Sequence, residues 1–330
     1  MRAVLLVGLV SVVAGSALMA AGDVPPPWAY GFAMPPGSAG APSPAVPAPA
    51  APASDDGTLR RVPGASGGFT VTQIRDGFGP ADWFPGDHPT MPDVVAHGRR
   101  PDVRACSLCH YPNGKGRPEN AGVSGLPYAY FVQTMTDFKN GNRKSADSRK
   151  ANTNVMIAIA KGMTDDEVKA AAEYFGAMKW TPWIRVVETA TVPKTRIAGG
   201  MFLRLEAGES EPIGARIIET PEDTERTEVL RDPRSGFIAY APMGSVKKGE
   251  TLVTTGGGKT TACGVCHGAD LKGLGPVPGL AGRSPSYTVR QLFDMQQGAR
   301  SGLWTDLMKP VVANLSNDDL LAIAAYTASR

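Results

Sequence analysis

The chain has 330 residues, 42% of them hydrophobic and 20% charged, with a formal net charge of +3. This is the composition of an ordinary folded protein with room for roughly two domains of about 150 residues, and it excludes a chain disordered throughout. Lys and Arg are scattered rather than concentrated on one segment, which excludes the footprint of a nucleic-acid-binding protein, so no nucleic-acid partner is expected.

Met1 and Arg2 precede an apolar run from Ala3 to Ala21 that closes on small residues, Ala20-Ala21-Gly22. A positive start, an apolar stretch and small residues at its end read as a secretory signal over residues 1–22. The run is also just long enough to cross a bilayer, so an uncleaved membrane anchor is the alternative. Either way the rest of the chain lies outside the cytoplasm. From Pro35 to Ala53 the residues are almost all Pro, Ala, Gly and Ser. Such a stretch buries too little apolar surface to fold, so residues 23–68 are expected to be a disordered tether.

An internal repeat follows. A shift of 157 positions lays Cys106 on Cys263 and His110 on His267, and 12 of the 38 positions from Cys106 to Arg143 are identical, among them Tyr130 on Tyr287 and Arg143 on Arg300. The register slips by five residues in the polar loop Asn142 to Asn154, then resumes with Met156 on Met308 and Tyr174 on Tyr326. Two copies of one domain are therefore expected, at 69–180 and 247–330.

Each copy reads as helical. Pro127 and Pro285 suit a first helical turn, Ser284 suits a cap, and Gly141 and Gly298 suit helix ends. Thr164-Asp165-Asp166-Glu167 is a capping box, and Ser316-Asn317-Asp318-Asp319 is a looser version of it. Between the copies, Met201 to Leu205, Ala215 to Ile218 and Gly236 to Tyr240 suit short strands, and the acidic stretch Glu222 to Glu228 suits a solvated loop. The expected architecture is mainly α, two helical domains joined by a small β-rich connector at 181–246.

The chemistry resides in Cys-x-x-Cys-His, present as Cys106-Ser107-Leu108-Cys109-His110 and Cys263-Gly264-Val265-Cys266-His267. Residues at i, i+3 and i+4 share one face of a helix turn, so two thiols can form thioethers with haem vinyl groups while the histidine ligates iron. A thioredoxin-like pair needs no following histidine. A zinc site is opposed by the distance along the chain between the two cysteine pairs. A Cys-x-x-Cys disulfide closes too short a loop to stabilise much. All four cysteines fall in the two motifs. Two covalently bound haem c groups are the predicted cofactors, held at Cys106, Cys109, Cys263 and Cys266, with His110 and His267 on iron.

The sixth ligand is chosen from twelve methionines. Met156 and Met308 align after the loop, each at the start of a helical stretch, and a soft thioether opposite histidine raises the reduction potential. Met163 aligns with Leu315, which marks it as packing. Two closed irons leave outer-sphere electron transfer rather than catalysis as the expected task. A ligating histidine commonly gives its other ring N–H to a carbonyl. Pro278 stands where it can offer one to His267, and Ala121 occupies that place in the first copy. Arg143 and Arg300 suit either haem propionates or solvated helix ends. His88 and His97 have no repeat partner and read as structural or exposed. Gly256 to Thr261 lacks the spacing of a phosphate loop.

With these motifs, the Gly-x-Arg helix ends and the closing Ala-Glu-Tyr and Ala-Ala-Tyr helices, the chain resembles the tandem dihaem cytochromes of the class I cytochrome c superfamily. The resemblance covers a little over half the chain. It implies two class I cytochrome c domains, thioethers at the four cysteines, and axial pairs His110/Met156 and His267/Met308. It also implies a periplasmic or membrane-attached electron carrier, not an enzyme. Such a carrier takes electrons from a periplasmic dehydrogenase or a quinol-oxidising complex and passes them to another cytochrome or a terminal oxidase. The Pro-rich segment and the 181–246 connector depart from the compact members and remove the basis for expecting the two domains to pack face to face. A dihaem cytochrome c peroxidase is the alternative and needs one iron that can open; a haem-based gas sensor needs an open iron too.

Overall fold

In the computed structural model, which describes residues 24–34 and 55–330, helices follow the two repeats. The first carries Cys106–His110, Tyr128–Lys139, Ala151–Gly162 and Asp165–Gly176. The second carries Gly264–His267, Pro285–Gln296, Lys309–Val312 and Asn317–Ala328, preceded by Ser245–Thr255. Local chemistry sets their ends. Ser284 accepts from the Tyr287 N–H, with Pro285 in the first turn. Gly141 and Gly298 follow their helices at φ +73° and +70°, a region that glycine enters without steric cost. Both final helices open with reciprocal capping boxes. The looser second one closes because the Asp319 carboxylate accepts from the Ser316 N–H at 3.1 Å.

The apolar faces of the first repeat meet in one cluster that includes Val103, Phe131, Met135, Met163, Ala172 and Phe175. Phe131 stacks on Phe175 with ring centroids 6.2 Å apart. In the second repeat, the helix Asn317–Ala328 is buried almost all round, because Ser245–Thr255 lies against one side and the helix Pro285–Gln296 and a sheet strand against others.

All strands longer than two residues among the described residues lie between Ile184 and Ala241. Ile184–Glu188 runs parallel to Phe237–Ala241, which pairs antiparallel with Ile218–Pro221. Thr195–Ala198 and Met201–Arg204 form a hairpin through Gly199 and Gly200. These strands share one apolar core with the second repeat, in which Leu203, Ile218, Phe237 and Ala239 lie with Phe293, Leu320 and Ala324. The buried Glu219 accepts from the Ser284 hydroxyl at 2.9 Å and the Ser286 N–H at 2.6 Å, tying the sheet to the start of the helix Pro285–Gln296. Two sequence expectations shift here. Only Ile218 of the stretch 215–218 enters a strand, which continues to Pro221. The acidic stretch holds a π-helical turn, Glu225–Val229, with Thr227 buried and bonded to Ser235. That turn covers a third cluster, Val62, Ile74, Trp83, Phe84 and Leu230.

Segment 23–68 is not a disordered tether throughout. Pro27–Tyr30 is a helical turn with Trp28, Ala29 and Tyr30 at most 3% exposed. Tyr30 donates to Asp294 at 2.7 Å. Arg60 pairs with Phe69 in a backbone bridge, and Val62 is buried. Proline-rich composition alone concealed two large aromatics that find apolar partners far along the chain. Residues 35–54 and the apolar run Ala3–Ala21 lie outside the described residues. Among the described residues, no helix is long and apolar enough to cross a membrane.

The two repeats are in direct contact, a point on which the connector removes any basis for expectation. The Lys144 N–H donates to Ala299 O at 2.8 Å and the Ser301 N–H to Asn142 O at 2.6 Å. Arg283 reaches Gly122 O at 2.8 Å and Ser124 O at 3.3 Å, and its guanidinium lies over Trp180. The middle segment merges its strands into the second repeat's core and also touches the first repeat, where Asn113 donates to Pro233 O at 3.0 Å and Arg234 pairs with Asp87 at 2.7 Å.

Candidate functional site

Each Cys-x-x-Cys-His motif forms a single helical turn that ends on its histidine or begins just after its first cysteine. The turn places both thiols and the imidazole on one wall of a cavity. The first cavity, of about 290 Å³, is lined by Cys106, Cys109, His110 and Met156, with Met163 also on its wall. The second, of about 210 Å³, is lined by Cys263, Cys266, His267 and Met308, with Trp304 beside them. Both are walled mainly by apolar side chains, such as Phe131 and Phe138 in the first and Leu292 and Ile323 in the second.

The histidines are oriented alike. His110 Nδ1 lies 2.8 Å from Ala121 O, and His267 Nδ1 lies 2.7 Å from Pro278 O. A carbonyl only accepts, so each Nδ1 carries the proton and each Nε2 keeps its lone pair. Burial lowers the pKa of both imidazoles, favouring the neutral form that binds metal. Burial also pushes the Cys106 thiol up to about 12 and the Cys263 thiol up to about 11. The first motif is further held from outside. Asn120 donates to Cys109 O at 3.2 Å, and Arg231 of the middle segment donates to Leu108 O.

These residues fit haem c. Two thiols, an oriented imidazole with a free lone pair and a thioether line each apolar cavity, which is the donor set that covalent attachment and axial ligation require. The guanidinium groups of Arg143 and Arg300 border the first and second cavity respectively, and their hydrogen bonds go to neutral groups. Arg143 donates to Thr134, Tyr287 and Gln291, and Arg300 to Gln291 and Tyr130. Both guanidinia therefore retain capacity for carboxylates of a bound group.

Several residues of the site were not singled out from sequence. Tyr130, Tyr287 and Gln291 line both cavities, so one layer of side chains separates them. The identity of Tyr130 with Tyr287 in the repeat was the available signal. Lys150, also on the wall of the first cavity, sits in the loop where the register slips. Among the residues read as peripheral, His88 is bonded to Asp82 at 3.1 Å, and His97 is exposed beside Asp93. Gly256–Gly258 forms a short 3₁₀ turn whose neighbour Lys259 pairs with Asp319, an arrangement with no phosphate cradle.

No family model matches the sequence. Over 137 residues the chain is 32% identical to a cytochrome c4 of Stutzerimonas stutzeri, spanning 36% of this chain and 63% of that protein. Over 81 residues it is 40% identical to a thiosulfate dehydrogenase electron acceptor of Stutzerimonas stutzeri (strain A1501), spanning 23% of this chain and 36% of that protein. The matches thus cover less than two thirds of the length of these relatives. Over 73 residues the chain is 38% identical to cytochrome c-554(548) of Halomonas halodenitrificans, spanning 22% of this chain and 88% of that protein.

Proposed function

The chain belongs to the class I c-type cytochromes, and from that premise we propose that it is a dihaem electron carrier of the periplasm. Residues 69–180 and 247–330 are its two haem domains. Cys106 and Cys109 form thioethers with one haem c, and Cys263 and Cys266 with the other. His110 with Met156, and His267 with Met308, are the axial pairs. Haem c supplies a one-electron couple at each site.

The observation that carries this reading is the pair of Nδ1–carbonyl hydrogen bonds, His110 to Ala121 and His267 to Pro278, with a methionine on the wall of each cavity. Each bond fixes its imidazole in the ligating tautomer. A thioether opposite closes the sixth position and favours a high potential. Apolar walls keep water from the site. Tyr130, Tyr287 and Gln291, shared by both cavities, give electrons a short passage between the two.

Electrons enter from a periplasmic dehydrogenase or a quinol-oxidising complex and leave to a downstream cytochrome or a terminal oxidase. A relative named as the electron acceptor of a thiosulfate dehydrogenase supports a dehydrogenase as the class of donor. The visible spectrum of the reduced holoprotein, recorded before and after carbon monoxide, tests the reading. Two low-spin haems unchanged by the gas are expected. A shift at either haem would reveal an open or labile iron and move the protein to the peroxidase class.

A further inference from the structure

Between Arg143 and Met156 the first repeat has a loop five residues longer than the matching stretch from Arg300 to Met308. That longer loop ends in Lys150, which is 3% exposed and lines the first cavity. The second repeat has no lysine or arginine between Arg300 and Met308; aligned on the methionines, Lys150 falls on Gly302. A buried amine therefore borders one cavity and has no counterpart at the other.

Among the described residues, no carboxylate forms an ion pair with the amine. From the N-terminal strap, Tyr30 O accepts from Lys150 Nζ at 3.2 Å. From the hairpin turn, Gly200 packs beside Nζ without charge. From the loop after the first motif, Glu119 faces it but is paired with Arg117 at 2.6 Å. From the helix Pro285–Gln296, Arg290 and Asp294 face it. Arg290 is spent on Ala29 O and Pro118 O, and Asp294 accepts from Tyr30 at 2.7 Å and from the Ala146 N–H at 2.8 Å. On its own loop, Asp147 is paired with Arg149 at 2.6 Å. Burial, and next the charge of Arg290, bring the Lys150 amine down to about 7 against the opposing pull of Glu119, Asp147 and Asp294.

We propose that Lys150 is a redox-linked proton acceptor that belongs to the first site alone. This rests on the reading that the first cavity holds haem c. When an electron reaches the first site from its donor, Lys150 Nζ, where it is neutral, takes up a proton from the solvent and becomes ammonium. It returns that proton when the electron leaves. The added negative charge in a low-dielectric wall favours the charged amine, and by linkage the charged amine favours the reduced state. The second site, with no such amine, takes its electron without the proton. Lys150 acts as a positioning residue for charge and does not itself carry the electron.

The test is a spectroelectrochemical titration of both haems in the holoprotein between about pH 5 and 9. One of the two wild-type potentials should fall as pH rises through neutrality, while the other stays level. Lys150→Met should abolish the slope and hold that haem at its high-pH level. Lys150→Arg should also abolish the slope but hold it at the low-pH level, because arginine stays charged. A slope that survives in either variant, or two level potentials in the wild type, overturns the proposal. A holoprotein with one haem, or with an iron that takes carbon monoxide, overturns the functional reading instead and is visible before any titration begins.

Discussion

Arg143 and Arg300, which the internal repeat lays on each other, meet in an antiparallel backbone bridge across the middle of the protein. Their side chains cross over. Arg143 donates to Tyr287 at 2.9 Å and Arg300 to Tyr130 at 2.8 Å, and both share the Gln291 carbonyl oxygen at 2.8 and 2.9 Å. Each repeat thus offers the same arginine and the same tyrosine to the other, the self-complementary logic of a two-fold interface within a single chain.

The first prediction follows from this exchange. Arg300→Ala should cost about 1.5–3 kcal/mol, the usual range for a buried hydrogen bond to a charged group, and Tyr130→Phe about 0.5–1.5 kcal/mol. Because the two side chains touch, the double variant should lose less than the sum of the singles. Denaturant unfolding of the four proteins measures the coupling. Strict additivity would mean that the contact contributes nothing in solution.

The second concerns the sixth ligands. Met156→Ala and Met308→Ala should each let one haem bind carbon monoxide in the reduced state while the other stays closed. Met163→Leu should change neither, although Met163 lines the first cavity, because the repeat sets Leu315 in its place and its thioether is read as packing. Gas binding after Met163→Leu, and none after Met156→Ala, would transfer the assignment to Met163.

What could be read from the sequence divides along a physical line. The two motifs and the carbonyls of Ala121 and Pro278 depend on spacing within one copy, and spacing is what a sequence displays. Tyr30 was hidden because its partner Asp294 lies 264 residues away and its neighbourhood has the composition of a tether. Tyr130 and Tyr287 were visible as identities, but their exchange of arginines depends on how the copies dock, which no pattern within either copy fixes. Lys150 left only the five-residue slip as a trace. Met201–Arg204 and Phe237–Ala241 were legible as strands, whereas Ile184–Glu188 and Thr195–Ala198 were not singled out, and the merger of the sheet with the second repeat's core rests on distant contacts such as Glu219 with Ser284 and Ser286.

The third prediction reverses a general rule. Gly to Ala inside a helix ordinarily stabilises by about 1 kcal/mol. At Gly249, within Ser245–Thr255, a Cβ would lie 2.0 Å from Ala322 O and 2.7 Å from the Tyr326 Cβ. The helix Asn317–Ala328 can pass this closely only because nothing projects there. Gly249→Ala should therefore destabilise by about 1–3 kcal/mol through overpacking. A raised midpoint of thermal or denaturant unfolding would show that the two helices do not approach so closely in solution.

The fourth prediction is a dependence on pH. Asp319 closes the capping box at the start of the last helix, fully buried, with Lys248 at 2.8 Å and Lys259 at 2.7 Å. Burial alone would raise its pKa, but hydrogen bonds from Lys248, Lys259 and Ser316 outweigh it and hold the carboxyl below the ordinary carboxylate range. A carboxyl whose folded pKa is depressed contributes its stability above the unfolded pKa of about 3.9 and loses it as pH falls through the lower folded value. Asp319→Asn should thus cost about 1–3 kcal/mol at neutral pH, the lower end being favoured by the partial exposure of both lysines. The gap between variant and wild type should narrow steadily as the solution is acidified below about pH 4. Unfolding free energies measured across that range decide the matter, since a gap that stays constant with pH would assign the loss to the cap's shape rather than to its charge.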